Sequence, residues 1–315
     1  MASINTNVSA MTALQSLNKT NLAMEVTQRR ISTGFRVNSA EDNAAYWSIA
    51  TTMRSDNSAL STVKDALGLG AATIDVAYTA INSAIDVTKE IKNKLVAARQ
   101  PGIDRTKVQS EISELQNQLQ SIADSAVFSG QNWLSTDSSA AGYNATKSIV
   151  ASFTRAGGNI TIGTISIDTS GMTLYDAGAA ATEAGIVDSL RDATSGAVDN
   201  VAGTFSIATM DISLLTDSTG DLAILEGYIA GADKGISEMT DSASTLGATK
   251  KRVTMQQSFV SALMDAVDRG ISALVDADMT EESTRLQALQ VQQQLGIQSL
   301  AIANQQGQSI LSLFR

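Results

Sequence analysis

Four carboxylates crowd one short stretch, Asp276, Asp278, Glu281 and Glu282, and oxygen donors at that density are what a calcium or magnesium site requires. The same residues also suit the start of a helix. An Asp followed three residues on by a Glu accepts orphan backbone amides, and acidic side chains in a first turn complement the helix dipole. We read the cluster as a cap. Asp217, Thr219 and Asp221 begin like an EF-hand loop, but no glycine stands at the sixth place and Tyr228 occupies the place of the bidentate Glu, so that site is rejected. The chain has no histidine and no cysteine, which excludes disulfides, thiolate chemistry, imidazole-ligated zinc and His-dependent triads. No Walker loop, dinucleotide fingerprint or His-Glu-x-x-His motif is present. The expectation is a protein that is not an enzyme and needs no cofactor.

With catalysis set aside, composition describes the scaffold. The chain has 315 residues, 43% of them hydrophobic but only 4% aromatic, and a single proline, Pro101, a balance that favours long helices over a bulky core. A net charge of −10 and no concentrated basic face argue against nucleic acid. No run of 18 apolar residues predicts a membrane span. Residues 1–18 carry no charge and no unbroken apolar run, so they do not read as a Sec signal peptide.

Periodicity then places the elements. Leu60, Val63, Leu67, Gly70, Ile74, Ala77, Ile81, Ala84, Thr88, Ile91, Leu95 and Ala98 alternate steps of three and four, a coiled-coil seam. Gln100-Pro101-Gly102 ends it, because proline lacks a backbone donor and glycine permits a reversal. The returning helix carries Val108, Ile112, Leu115, Leu119, Ile122 and Ala126. A third stripe runs Ile236, Met239, Ala243, Leu246, Val253, Val260, Met264, Val267, Ile271 and Leu274. Three seams of matching period predict an antiparallel helical bundle, slender because small residues such as Gly70 and Ala84 let backbones approach.

Between the second and third seams, Ile149, Phe153, Ile160, Ile162, Ile165 and Ile167 flank Ala156-Gly157-Gly158-Asn159 and predict a β-hairpin about a glycine turn. A short strand is expected at Met172–Leu174. Residues 177–220, rich in small residues, read as a small α+β segment with a weak helix near Ile186–Leu190 and a weak strand near Phe205–Ile207. Phe35, Tyr46 and Trp47 are unusual apolar bulk, read as core packing with an inter-subunit contact as the alternative.

The two ends differ from the rest. From Leu286 to Phe314 no residue is charged, yet Leu289, Val291, Leu295, Ile297, Leu300, Ile302, Ile310 and Leu313 lie at helix-compatible positions on more than one face. At the other end Ala10, Leu17, Met24 and Ile31 recur every seven residues beside Leu14, and the first charge is Lys19. Ordering a tail of ~30 residues costs on the order of 45 kcal/mol, which at ~25 cal/mol per Å² needs about 1,800 Å² of apolar burial. One partner helix covers one face only. The expectation is that the termini stay disordered in the monomer and fold only when neighbouring copies bury the remaining faces. Lateral packing of identical helices brings like charges together, whereas glutamine hydrogen-bonds to its own kind at little electrostatic cost.

Specific residues at both ends resemble bacterial flagellin, and are similar to the alphaproteobacterial and rhizobial members. These are Ile4-Asn5-Thr6-Asn7 and the run Arg30-Ile31-Ser32-Thr33-Gly34-Phe35-Arg36-Val37-Asn38-Ser39-Ala40-Glu41-Asp42-Asn43-Ala44-Ala45. The carboxy-terminal pattern returns as Asp276-Ala277-Asp278-Met279, Ala301-Ile302-Ala303-Asn304-Gln305 and Ile310-Leu311-Ser312-Leu313-Phe314-Arg315. Phe128-Ser129-Gly130-Gln131-Asn132-Trp133-Leu134 is similar to a further family stretch.

The resemblance implies a mainly α fold: a long antiparallel coiled-coil or helix-bundle rod with a β-hairpin and a small outer segment. It implies that 1–42 with 275–315 form the inner filament core, 43–176 with 221–274 the rod, and 177–220 a reduced outer domain. Leu14, Leu17, Met24, Ile31, Leu289, Leu295, Leu300, Ile302, Ile310 and Leu313 would then form the polymerisation core. Leu67, Ile74, Ile81, Ile91, Leu95, Ile112, Leu115, Leu119, Val260 and Val267 would form the rod seam. The implied partners are further copies of the chain and other flagellins, an export chaperone, a filament cap and junction proteins, with no nucleic acid and no membrane. The implied location is the extracellular filament, reached unfolded through the flagellar type III channel. Two other functions fit the same helical ends: a hook-filament junction protein, and an adhesin or immune ligand acting through residues 177–220.

Overall fold

The structure is a computed structural model that describes residues 7–178, 185–193, 195–199 and 205–312, with residues 306–312 described in backbone only. In chain order the elements are α1 (Val8–Thr33), α2 (Ala44–Ala98), α3 (Arg105–Ser125), β1 (Val127–Phe128), β2 (Gln131–Asn132), β3 (Ser135–Thr136), β4 (Thr146–Ala156), β5 (Asn159–Asp168), β6 (Tyr175–Asp176), α4 (Thr219–Val275) and α5 (Met279–Ser312). The fold is mainly helical. The chain divides into two compact units, Met1–Ser58 with Leu263–Arg315, and Ala59–Ala262.

In the Ala59–Ala262 unit the first predicted seam is a continuous buried line from Leu60 to Ala98, every position of it inaccessible or nearly so. Ile112 and Leu119 of α3 and Met239, Leu246, Val253 and Val260 of α4 are buried with them, while Leu115 is half-buried. Ion pairs set the direction of the helices. Asp75, Lys92 and Arg99 of α2 meet Lys250, Asp233 and Glu226 of α4, so each step up α2 matches an equal step down α4, and the pair is antiparallel. Lys94 with Glu111 does the same for α2 and α3. These pairs are partly solvated and contribute register more than stability.

The reversal between α2 and α3 has Gly102 at φ +83°, the left-handed region that glycine enters without a Cβ penalty. Asp104 then caps α3 by accepting from the Lys107 amide. The buried Arg105 guanidinium ties this corner together, donating to the Ala98 and Leu215 carbonyls and to Asp217.

β4 and β5 form the expected antiparallel hairpin, its turn made by Gly157 and Gly158, both at positive φ as a two-residue hairpin turn requires. An irregularity between Val150 and Ser152 shifts the register. Ile149, Ala151, Ile165 and Ile167 are buried at the base, whereas Ile160 and Ile162 near the tip are exposed. The smallness of Gly70 serves this hairpin: a Cβ there would collide with the Ile149 side chain. The small residue in the seam therefore admits a strand rather than a second helix. The short strand after the hairpin is β6 at Tyr175–Asp176, which pairs in parallel with β3 instead of lying at Met172–Leu174.

Residues 185–193 and 205–218 pack as turns on α3 and α4. Ile186–Leu190 makes turns and not a helix: the amides of Ile186 and Val187 donate to the Thr173 and Leu174 carbonyls, and the chain departs at Arg191, whose amide donates to the Phe205 carbonyl. Phe205 makes only an isolated bridge with Arg191, and 206–209 turns. Val187, Phe205, Ile207, Met210 and Ile212 are buried. Gln109 and Gln116 of α3 hold the backbone of Ile207, Met210 and Ile212. Arg191, fully buried, donates to Glu238 on α4 and to the Ile186 carbonyl.

In the unit built from Met1–Ser58 and Leu263–Arg315, Gly34 ends α1 in the left-handed conformation and the chain crosses to α4, with Arg36 and Val37 donating to the Val275 carbonyl and Ala277 to that of Gly34. Val37, Ala50, Ile271 and Val275 form its buried core, with Phe35, Met53, Val267 and Leu274 packed against them.

Candidate functional site

The two terminal helices α1 and α5 lie against each other, with a buried side and a side that exposes apolar residues. Asn7 caps α1, accepting from the Ala10 amide, and its own amide donates to the Ala303 carbonyl at 2.9 Å. Gln293 donates to Asn21 at 2.9 Å, and Arg30 to Glu282 at 2.9 Å. Early residues of one helix thus meet late residues of the other, an antiparallel pair. The contact line on α1 is Ala10, Ala13, Leu17, Thr20, Met24, Thr27 and Ile31, alternating steps of three and four. On α5 it is Leu286, Leu289, Gln293, Gly296, Leu300 and Ala303, and Leu17 lies directly over Gly296.

The predicted assembly residues therefore divide. Met24 is buried and Leu17, Ile31, Leu289 and Leu300 are half-buried in the contact line. Leu14, Leu295 and Ile302 face solvent. For Ile310 only the backbone is described, and Leu313 lies outside the described residues. Sequence reasoning missed Thr27, Gln293, Gly296 and Ala303, though their three-four spacing was available in the chain.

The sides turned away from this line are apolar as well. Val8, Met11, Leu14 and Leu22 are exposed on α1, and Val291, Leu295 and Ile302 on α5. The steps of four and seven between the last three put them on one face of their helix. Glu282 is buried against Arg30 and also meets Arg285, while Lys19, Glu25 and Arg29 of α1 face solvent. Arg30 Nε and Glu282 Oε2 are buried without hydrogen-bond partners. A buried pair of this kind adds little net stability but selects one register, since any slip strands both charges in an apolar interface.

The acidic cluster behaves as a cap. Asp278 accepts from the amides of Thr280 and Glu281 at the start of α5. Glu281 and Glu282 reach arginines, and Asp276 bridges to Phe35 through its backbone. Among the described residues no three acidic side chains gather as a metal site. Asp217 and Asp221 likewise serve neighbours, the first Arg105 and the second Thr216. Amide and hydroxyl donors of Thr216 hold the Asp221 carboxyl below its usual range.

One expectation fails here. Phe35 is half-buried in the core, with the Arg54 guanidinium 5.1 Å over its ring. Tyr46 and Trp47, however, are not core residues: they stand 41% and 37% exposed at the first turn of α2. Tyr46 continues the line of Ala50 and Met53, but α4 ends at Val275 and its core partners reach only those two.

Comparison with known proteins accounts for this arrangement. Residues 4–139 match the family model for the bacterial flagellin N-terminal helical region, and residues 229–314 the model for the bacterial flagellin C-terminal helical region. The chain is 53% identical to Flagellin C of Rhizobium meliloti strain 1021 and 42% identical to Flagellin A of Rhizobium meliloti, each over the whole of both chains. It is 43% identical to a flagellin of Brucella melitensis biotype 1, again over the whole of both. The matched regions hold both helices of the terminal pair and the predicted seams, and this chain belongs to the bacterial flagellin family.

Proposed function

We propose that this chain, a structural subunit of the bacterial flagellar filament and not an enzyme, polymerises through the solvent-facing sides of the α1–α5 pair. The observation that carries this reading is the pair itself: one face closed within the chain, the other exposing apolar residues on both helices, with no charge on α5 beyond Arg285 and Lys19, Glu25 and Arg29 as the exposed charges of α1. An isolated subunit keeps that second face in water. A filament buries it against identical faces, where the absence of charge along α5 beyond Arg285 avoids like-charge repulsion. The full-length relatives are flagellins by name, which favours this reading over a junction protein or an adhesin.

In this reading residues 1–42 with 275–315 make the inner core, 43–176 with 221–274 the rod and 177–220 the outer surface. Leu14, Leu295 and Ile302 contact neighbouring copies, while Leu17, Met24, Ile31, Leu289 and Leu300 hold the pair that presents them. The buried line from Leu67 to Leu95, with Ile112, Leu119 and Val260, keeps the rod stiff. Export chaperone, cap and junction proteins, and other flagellins sharing the filament, are the partners that an extracellular polymer of this kind would use.

Seeded polymerisation of purified chain, followed by pelleting and electron microscopy, tests it beside a copy truncated after Arg285. Long filaments from the intact chain alone support the reading. Filaments of equal yield from the truncated chain would remove the α1–α5 pair from the mechanism.

A further inference from the structure

Residues 185–190 are seated on the chain around β6 with little room to spare. The Ile186 and Val187 amides donate to the Thr173 and Leu174 carbonyls, and a Cβ at Gly185 would collide with the Leu174 carbonyl. The seat carries further chain with it, since the Ala208 amide donates to the Val187 carbonyl and the Arg191 amide to that of Phe205. It also holds a carboxyl. Asp188 Oδ2 accepts from the Asp176 amide at 2.8 Å, but Oδ1 is buried with no hydrogen-bond partner. From β6 come the Asp176 carboxylate and the Tyr175 hydroxyl, and from α3 Asp124, whose charge acts on that hydroxyl together with the charge of Asp188. Asp176 accepts from the Ser138 and Gly178 amides and Asp124 from the Ser135 hydroxyl, so of these three carboxyls Asp188 alone has an orphan oxygen. Arg191, next to these turns in the chain, donates to the Ile186 carbonyl and to Glu238 of α4. Among the described residues no ion pair is made by Asp124, Asp176 or Asp188.

We propose that Asp188 is a proton-operated latch: with a proton on its orphan oxygen it holds residues 185–190 on Thr173 and Leu174, and as a carboxylate it loosens them together with the 205–212 turns. A carboxylate whose oxygen is withdrawn from water without a donor is costly, and a proton on that oxygen removes the cost. Ionisation leaves the bond from the Asp176 amide in place but sets two like charges against each other. Opening relieves both penalties and uncovers Val187, Ile207 and Met210, so this surface passes from closed to apolar as pH rises. Burial pushes the Asp188 carboxyl up and the Asp176 charge adds to it, against the amides of Asp176, Gly185 and Asp188, so the switch lies above the ordinary carboxylate value. Tyr175, raised by burial first and then by the charges of Asp188 and Asp124, keeps its proton through that range and is not the switch.

Hydrogen exchange of the full chain at pH 4 and pH 7, each rate divided by its intrinsic value, reads the latch at the amides of Ile186, Val187 and Ala208. The amide of the buried Ile81 in α2 is the reference for unfolding of the whole unit. From pH 4 to pH 7 the protection of the three amides falls on the order of tenfold relative to Ile81 in the natural chain. In Asp188→Asn, which keeps an acceptor for the Asp176 amide and carries no charge, that protection stays at its pH 4 level throughout. A natural chain equally protected at both pH values overturns the latch. So does a pH dependence that persists in Asp188→Asn, since it then belongs to Glu238 or another group. If the variant loses helicity by circular dichroism, carbon NMR of the Asp188 carboxyl in the natural chain decides: a titration midpoint shared with the loss of protection supports the latch, and a separate midpoint overturns it.

Discussion

Two carboxyls show how opposite environments give opposite pH dependence. Asp42 accepts from the backbone amides of Ser39 and Asn38, and from the Ser39 hydroxyl, so its carboxyl titrates below the usual range. Its contribution is therefore present above the unfolded value and lost as pH falls through the folded one. Asp188 is pushed upward by burial, against the hydrogen bond it accepts from the Asp176 amide and with the neighbouring Asp176 charge adding to the rise. Its protonated form favours folding, and that contribution is lost as pH rises through the folded value. Melting at pH 3 and pH 7 should separate them: Asp42→Asn lowers stability relative to the natural chain at pH 7 but not at pH 3, and Asp188→Asn raises it at pH 7 more than at pH 3. Burial also raises Asp176, but amide and hydroxyl donors at Ser138 and the amide of Gly178 outweigh it and leave that carboxyl lowered. Arg191 and Glu238 make a second residue-scale test. Removing Glu238 strands a fully buried guanidinium, whereas removing Arg191 leaves a partly solvated carboxylate. Glu238→Ala should therefore cost about 3 kcal/mol in urea unfolding, no less than Arg191→Ala.

At the scale of elements, burial decides which seam positions matter. Ile81 is inaccessible and Leu69, two residues from Leu67 on the same helix, is half in water. Ile81→Ala should cost about 2–5 kcal/mol through lost transfer energy and a cavity, while Leu69→Ala should stay within about 0.5 kcal/mol. Urea midpoints of the two variants check the contrast, and equal losses would mean the seam is not where the helices meet. Close backbone approach is a second element-scale device. α4 has glycine at Gly227, Gly231 and Gly235, where a Cβ would meet the Ala193 carbonyl, the Phe205 ring and the Ile207 side chain. Those three glycines, a helical turn apart, seat Ala193, Phe205 and Ile207 on α4 at the cost of helix propensity.

For the whole molecule, the open faces of α1 and α5 link monomer stability to assembly. Hydrogen exchange of residues 286–305 should be fast in dilute monomer and slow in filament, because the filament supplies the apolar burial that one partner helix cannot. Equal protection in both states would mean that the pair orders itself without neighbours. The exposed apolar residues of the pair, with no charge on α5 beyond Arg285, further imply a critical concentration that changes little between low and moderate salt, in contrast to an assembly steered by ion pairs. Pelleting assays across salt concentrations read this directly.

Heptad spacing determined, with no tertiary information, the helical nature of α2, α3 and α4, the reversal at Pro101-Gly102 and the hairpin at Gly157-Gly158, because periodicity and turn geometry are local properties of the chain. It also marked the ends as uncharged and apolar on several sides, and their motifs carried the family. Tertiary structure alone decided what each apolar residue faces. Gly70 admits Ile149 and not a helix, Leu17 meets Gly296 while Leu14 meets water, and Tyr46 loses its partner because α4 stops at Val275. Arg30 and Glu282 find each other across the chain, and the turns at 186–190 are tied to the Thr173 and Leu174 carbonyls. Spacing along a helix says which residues share a face; which neighbour covers that face depends on where another segment ends, and that is written elsewhere in the chain.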